Sequence, residues 1–257
     1  MNILEAILLG LVQGLTEFLP ISSSGHLLLL QDIMGIYENR ALVSVMLHLG
    51  TLLAVVIFFF KDLLALLKKP YNTLLNLIIA TIPAALVMPL IKEHVEALFG
   101  PTFYCFGFLI TAVVLLLTEI ISKKNIGTPA EEVDSKKALA MGLAQAVAVI
   151  PGISRSGSTI CAGVLSEAKR EAVAKFSFLM SVPVILGSSA VSALEISTLQ
   201  IDALPLLLGM ASAFVTGILS IKLMMKAIKK SNYRWFSAYL FLLFALVFTN
   251  IFIARIW

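Results

Sequence analysis

Six apolar runs, each about 20 residues long, constrain this chain more than any other feature of its sequence. They cover roughly residues 41–60, 74–91, 102–121, 176–195, 204–221 and 235–254. The hydrocarbon core of a bilayer is about 30 Å thick, which a helix of about 20 residues crosses. Because 60% of the 257 residues are hydrophobic and only 13% are charged, a soluble globule would lack a polar shell. We therefore predict an all-α polytopic membrane protein, with residues 1–257 forming a single integral membrane domain.

The basic residues are distributed unevenly between these runs. Four connecting segments hold 3, 4, 3 and 5 Lys or Arg residues, namely 61–73, 122–137, 164–175 and 222–234. On the other side only Arg40, Lys92 and Arg255 are found. Cytoplasmic loops carry the excess of Lys and Arg, so the four segments are predicted to be cytoplasmic and the C-terminus to lie outside. The net charge of +4 then reflects topology, and we expect no nucleic-acid partner.

Two further apolar regions, 1–36 and 138–163, are interrupted by Pro, Gly and Ser. Given the predicted topology, the first must begin and end outside, and the second must begin and end in the cytoplasm. Both are therefore predicted to be re-entrant helical segments. Broken helices at membrane depth are tolerated only where protein or a polar cavity satisfies the freed backbone groups.

The two interrupted regions also resemble each other. An offset of 132 residues aligns GLVQGLTEFLPISSSGH, from Gly10, with GLAQAVAVIPGISRSGS, from Gly142, and 7 of 17 positions are identical. Chance similarity between Gly-rich apolar segments is the alternative. With three spans and one re-entrant segment in each half, we predict an inverted repeat. Its halves are residues 1–121 and 138–257, joined by a cytoplasmic linker at 122–137.

The first copy contains a group of polar residues. Gln13 and Glu17 are four residues apart and share one helix face. Pro20 ends that helix, and the serines that follow can begin the next one. His26 lies three residues after Ser23 and would then point to the same side. The pattern predicts that a carboxylate, a hydroxyl and an imidazole meet in a small space.

The second copy, PGISRSGST at 151–159, is typical of an anion site, because helix N-terminal amides, small hydroxyls and one Arg suit a phosphate. Each serine could instead bond to its own helix. Glu17 and Arg155 could form a purely structural ion pair. Charged groups at membrane depth are nevertheless functional candidates by default. His48 is interpreted as a buried polar residue without a role.

These two motifs resemble those of the undecaprenyl-diphosphate phosphatase family, also called the bacitracin resistance proteins. QGLTEFLPISSSGH at 13–26 is similar to the family's Glu/Gln-x3-Glu motif with its Ser-rich turn and His, and PGISRSGST to its second motif. Here the first motif position is Gln13, so only Glu17 can serve as its carboxylate.

The resemblance implies hydrolysis of undecaprenyl diphosphate to undecaprenyl phosphate and inorganic phosphate, which recycles the lipid carrier of cell-wall synthesis and confers bacitracin resistance. It also implies a polyprenyl diphosphate substrate, a bacterial cell (inner) membrane, and a divalent cation, Mg²⁺ or Ca²⁺, with Glu17 as a candidate ligand. The implied catalytic residues are Glu17, Ser23, His26 and Arg155. The implied substrate-binding residues are Ser154, Ser156 and Thr159, and the polar residues Gln13, Ser22 and Ser24 of the first copy are further candidates for this role. Homo-oligomer formation stays open.

In the expected mechanism Arg155 and the 154–159 turn hold the phosphate oxygens, and Ser23 or a water attacks the terminal phosphorus. His26 is the candidate acid or base, and Glu17 orients it or holds the cation. A transporter or flippase for a polyprenyl phosphate lipid is the main alternative, because inverted repeats with broken helices are common in transporters. A non-catalytic lipid-binding scaffold is the third. The expected pairing of Ser23 with His26 favours the enzyme.

Overall fold

A computed structural model describes residues 1–98, 100–123, 129–195, 202–228 and 232–254. The described chain is helical and has no β-strand, apart from one isolated bridge between Ala130 and Ala168. Its helices are α1 Ile3–Glu17, α2 Ser23–Ile33, α3 Arg40–Phe58, α4 Phe60–Leu66, α5 Asn72–Leu98, α6 Pro101–Ser122, α7 Ser135–Val147, α8 Arg155–Leu165, α9 Arg170–Glu195, α10 Ala203–Ala227 and α11 Tyr233–Thr249, with a π-helical turn at Asn250–Ala254.

Six helices within the described residues are long and apolar enough to cross a membrane, which confirms the predicted spans. They are α3, α5, α6, α9, α10 and α11. The helices run past the apolar windows: α9 begins at Arg170 and α10 ends at Ala227. Long basic side chains at helix ends reach the interface and so permit this extension. The short α4 begins at the last residue of the 41–60 run and continues into the basic segment 61–73, where no helix was predicted.

The interrupted regions each form two short helices, α1 with α2 and α7 with α8. The helix starts repeat at the predicted offset of 132 residues, since α1 begins at 3 and α7 at 135, and α2 begins at 23 and α8 at 155. The first short helix of each half packs on a span of the other half: α1 packs on α10, and α7 packs on α5. The inverted orientation of the second half stays a prediction, as do the boundaries of the halves and the cytoplasmic side of the linker.

Helix α7 begins at the end of the polar linker. Asp134 is its N-cap, and the carboxylate accepts hydrogen bonds from the backbone N–H of Lys137 at 2.9 Å and from the Lys137 ammonium. These bonds stabilise the charged form and hold the pKa of Asp134 below its ordinary value. The cap fixes where α7 starts and therefore where the second break falls.

The second break packs directly against α6. Gly152 has a φ of +89°, a region that residues with a Cβ rarely adopt. A Cβ at this position would lie 2.5 Å from the Cα of Tyr104. Gly152 thus permits the turn between α7 and α8 to approach the backbone of α6, which carries that turn into the centre of the protein.

Candidate active site

In each broken segment, a serine is the N-cap of the second short helix. The Ser22 hydroxyl accepts a hydrogen bond from the backbone N–H of Gly25 at 3.3 Å, as the N-cap of α2. The Ser154 hydroxyl accepts one from the backbone N–H of Gly157 at 3.0 Å, as the N-cap of α8. Each serine hydroxyl accepts a hydrogen bond as a helix cap, so its own proton stays available for a neighbour or a ligand. These two predicted substrate-binding residues therefore also shape the helix starts.

The two turns contact each other in the interior. The Ser156 hydroxyl donates to the backbone carbonyl of Leu19 at 2.8 Å. The backbone N–H of Gly152 donates to the Ser24 hydroxyl at 3.4 Å. The structure thus brings the two sequence motifs together. The Ser156 hydroxyl joins the two turns, and its role in substrate binding stays a prediction.

Glu17, the last residue of α1, lies at the centre of this contact. Its side chain is buried, and one carboxylate oxygen pairs with the Arg155 guanidinium. The other oxygen accepts hydrogen bonds from the Ser23 hydroxyl at 2.5 Å and from the Gln13 side-chain amide at 3.0 Å. A buried charge requires such compensation, since desolvation strongly disfavours an isolated carboxylate. The Glu17 carboxylate thus connects three other predicted site residues, drawn from both motifs.

Arg155 is positioned by α9, which the sequence did not indicate. Its guanidinium donates to the backbone carbonyl of Ser177 at 3.4 Å. The Thr159 hydroxyl donates to the Arg155 carbonyl at 2.9 Å and lies 2.6 Å from the Ser177 hydroxyl. The predicted role of Thr159 in substrate binding stays a prediction; in the structure this buried residue contacts Arg155 and Ser177. On α6, the Thr111 hydroxyl accepts from the backbone N–H of Ser154 at 3.0 Å and so fixes the start of α8.

His48 on α3 also faces the carboxylate. Its Nε2 lies 3.7 Å from Glu17 Oε2, and its Nδ1 bonds to the backbone carbonyl of Ser44 at 2.7 Å. The sequence interpretation gave His48 no role. An ionisable residue inside an apolar span was the signal that could have identified it.

His26 is oriented away from the predicted nucleophile. Its Nδ1 bonds to the backbone carbonyl of Ser22 at 2.7 Å, and its Nε2 lies 2.7 Å from the Tyr239 hydroxyl on α11. The edge-to-face contact with Phe108 holds the ring on the side of α6. The expected pairing of Ser23 with His26 is therefore absent from the described contacts, because Ser23 bonds to Glu17 on the side of α1.

The chain is similar to known proteins over nearly its whole length. Residues 6–246 match the family model described as Bacitracin resistance protein BacA. The undecaprenyl-diphosphatase of Carboxydothermus hydrogenoformans is 41% identical over 253 residues, covering 95% of both chains. That of Methanosphaera stadtmanae is 39% identical, covering 93% of this chain and 94% of its own. Undecaprenyl-diphosphatase 4 of Bacillus cereus is 37% identical, covering 98% and 100%.

The chain belongs to the BacA family. Membership confirms the resemblance drawn from the two motifs, and with the six apolar helices it makes this a multi-pass membrane protein.

A divalent cation was expected for a BacA-family site, and the donor atoms present fit one. Among the described residues no three His, Cys, Asp or Glu side chains form a preassembled metal cluster. Glu17 nevertheless supplies a carboxylate, and the buried Oε1 of Gln13 has no hydrogen-bond partner. Mg²⁺ is commonly held by one or two carboxylates together with substrate phosphates, so a preassembled cage is unnecessary.

The arrangement in this BacA-family chain can perform phosphoryl-transfer chemistry. The Ser23 hydroxyl is a nucleophile already hydrogen-bonded to a proton acceptor, Glu17. Arg155 supplies a planar fork of donors that matches phosphate oxygens. The start of α8 adds backbone N–H groups and the positive end of a helix dipole.

Proposed function

We propose that this chain is an undecaprenyl-diphosphatase that hydrolyses undecaprenyl diphosphate to undecaprenyl phosphate and inorganic phosphate. This reaction recycles the lipid carrier for cell-wall synthesis and confers bacitracin resistance. One observation carries the proposal: the buried Glu17 carboxylate binds both a hydroxyl nucleophile, Ser23, and a phosphate-binding guanidinium, Arg155. The names of the relatives support it.

In the proposed mechanism the terminal phosphate enters between the two broken helices, and Arg155 turns from Glu17 to the phosphate oxygens. Glu17 then loses its compensating charge, so its affinity for a proton rises. Ser23 Oγ attacks the terminal phosphorus, its proton passes to Glu17, and the bond to the bridging oxygen breaks. Undecaprenyl phosphate leaves, and a water hydrolyses the phosphoserine. Arg155 and the N-terminal amides of α8 stabilise the charge on the equatorial oxygens.

The expected Mg²⁺ or Ca²⁺ belongs to the same proposal. Glu17 and the Oε1 atom of Gln13 are the residues that would hold it, and it would supply positive charge against the phosphate oxygens. This cation would add to the charge of Arg155. The proposed nucleophile and proton acceptor are residues of the chain itself.

We place the enzyme in the bacterial cell (inner) membrane with its basic loops in the cytoplasm, its C-terminus outside and its site opening outwards. The large apolar side chains on its surface support contact with lipid, as at Leu86, Leu90 and Leu223, which are 66%, 78% and 62% exposed. The prenyl chain then lies among the spans while the diphosphate reaches Glu17. Light scattering of the solubilised protein distinguishes a monomer from a homo-oligomer.

Phosphate release from the detergent-solubilised protein tests the function, because no membrane barrier exists in detergent. We expect release from farnesyl and undecaprenyl diphosphates and none from the matching monophosphates. A transporter, flippase or lipid-binding scaffold would bind these lipids without releasing phosphate, and that result would overturn the proposal. Rapid quenching with labelled diphosphate should trap phosphate on Ser23, whereas transfer directly to water would contradict the covalent step.

A further inference from the structure

Tyr239 connects α11 to the candidate site through His26. The Tyr239 hydroxyl lies 2.7 Å from His26 Nε2, and the two rings are stacked, with an interplanar angle of 10° and centroids 5.7 Å apart. Neither sequence motif contains Tyr239, which lies 213 residues from His26. The contact therefore adds a residue from the last helix to a site built from the two broken segments.

The partners of His26 determine where its proton lies. A backbone carbonyl can only accept a hydrogen bond, so Nδ1 carries the proton that bonds to Ser22. In the neutral ring Nε2 is then the remaining acceptor, and the Tyr239 hydroxyl donates to it. Nε2 is the ring nitrogen left for the catalytic role that the family resemblance implies for His26, and the phenol occupies it.

This arrangement opposes the binding of a diphosphate. Both partners have committed their protons, the ring to Ser22 and the phenol to Nε2. The phenol oxygen presents only lone pairs outwards, which repel phosphate oxygens, whereas Nε2 freed from the phenol can take up a proton and donate to them. A diphosphate can therefore approach His26 only after the phenol has moved.

We infer that the Tyr239 hydroxyl blocks His26 Nε2 in the substrate-free enzyme and that the diphosphate of the lipid substrate displaces it. The inference rests on the proposed function and makes Tyr239 a positioning residue that controls substrate affinity. The side chain has room to move, since Tyr239 is 43% exposed. Helix α11 packs mainly on α6, so the phenol can leave α2 without disturbing the contacts between the broken helices.

Replacing Tyr239 by Phe isolates the hydroxyl, because it preserves the stacked ring. Binding is measured by calorimetry in detergent with the methylene-bridged analogue of farnesyl diphosphate, which resists hydrolysis. We expect Tyr239→Phe to lower Kd about two- to tenfold, the range that one net hydrogen bond is worth. KM for farnesyl diphosphate should fall in parallel, while kcat changes less than about twofold. Tyr239→Leu removes the hydroxyl with a different side chain and should shift Kd in the same direction.

Tyr71→Phe is the matched control. Tyr71 is also 43% exposed, and its hydroxyl makes no recorded hydrogen bond within the described residues, so its Kd should equal that of the wild type. An unchanged or raised Kd in both Tyr239 variants would overturn the inference, as would a large loss of kcat, which would place the phenol in the chemical step. If the wild type binds the analogue but releases no phosphate, the proposed function fails while the Kd comparison still decides the inference.

Discussion

The Glu17 carboxylate and the Arg155 guanidinium form a buried ion pair between residues 138 positions apart in the sequence. The pair joins the end of α1 to the start of α8, and thus links the two halves of the chain. Removing one member of a buried pair leaves an uncompensated charge, which typically costs about 3–5 kcal/mol. Tests of this site must therefore measure stability and turnover on the same variant.

Arg155→Lys should lower kcat about 100-fold or more, the scale of losing one oxyanion donor. Lys keeps the charge that pairs with Glu17, but its ammonium cannot hold two phosphate oxygens in fixed geometry. Phosphate release and thermal unfolding on the same purified protein provide the measurement. Arg170→Lys is the control, since Arg170 pairs with Glu119 at 3.1 Å outside the candidate site. Wild-type turnover in Arg155→Lys would show that the ion pair of Glu17 with Arg155 has only a structural role.

Gln13→Glu should retain turnover near neutral pH. The new carboxyl would face Glu17, whose oxygen now accepts from the Gln13 amide at 3.0 Å. Two adjacent carboxylates do not both ionise readily, so the pair keeps one proton that replaces the amide donor. That proton is lost as the pH rises, and stability should fall on the alkaline side relative to wild type. A pH series of unfolding temperatures measures this, and inactivity at neutral pH would show that position 13 cannot be acidic.

Single Cys replacements test the predicted outward opening. Ser24 and Ser158 are half-buried at the two breaks, whereas the native Cys105 and Cys161 are buried. An impermeant thiol reagent applied to intact cells should label the Ser24→Cys protein, because the first segment is predicted to enter from outside. Labelling of the Ser158→Cys protein shows whether the opening extends from outside as far as the second break. Labelling of neither variant in intact cells, and of both in inverted vesicles, would reverse the orientation.

Gly14→Ala should destabilise the protein, because it forces α1 away from α10. The added Cβ would lie 2.0 Å from the Thr216 hydroxyl and 2.6 Å from the Ala213 carbonyl. Overpacking of this kind costs about 1–3 kcal/mol. Gly187→Ala is the matched control, since its Cβ meets nothing within 4 Å on a helix where Ala is the better residue. Equal unfolding temperatures for the two variants would contradict the close packing of α1 on α10.

The sequence was sufficient to predict the six spans, the two interruptions and the meeting of the two motifs. Apolar length determines the spans, Pro and Gly determine the interruptions, and the repeat at an offset of 132 residues indicates that the motifs meet. The ion pair of Glu17 with Arg155 was an alternative to a functional role for these two residues.

The remaining contacts depend on packing between distant helices. His48, Ser177 and Tyr239 enter the site from α3, α9 and α11, and no periodicity or motif records which helices become neighbours. The pairing of Ser23 with His26 failed for a local reason: the Ser22 carbonyl binds Nδ1 and fixes the ring on the other side of α2. Their three-residue spacing alone could not show this.

The central claim is that the Glu17 carboxylate performs chemistry and does more than neutralise Arg155. The most direct measurement compares phosphate release by Glu17→Gln and Glu119→Gln, each corrected for its folded fraction by thermal unfolding. Both residues are buried glutamates paired with arginine, at 6% and 2% exposure, but only Glu17 contacts Ser23. We predict that both variants lose stability and that only Glu17→Gln loses nearly all turnover per folded molecule. Wild-type turnover per folded Glu17→Gln molecule would contradict the account.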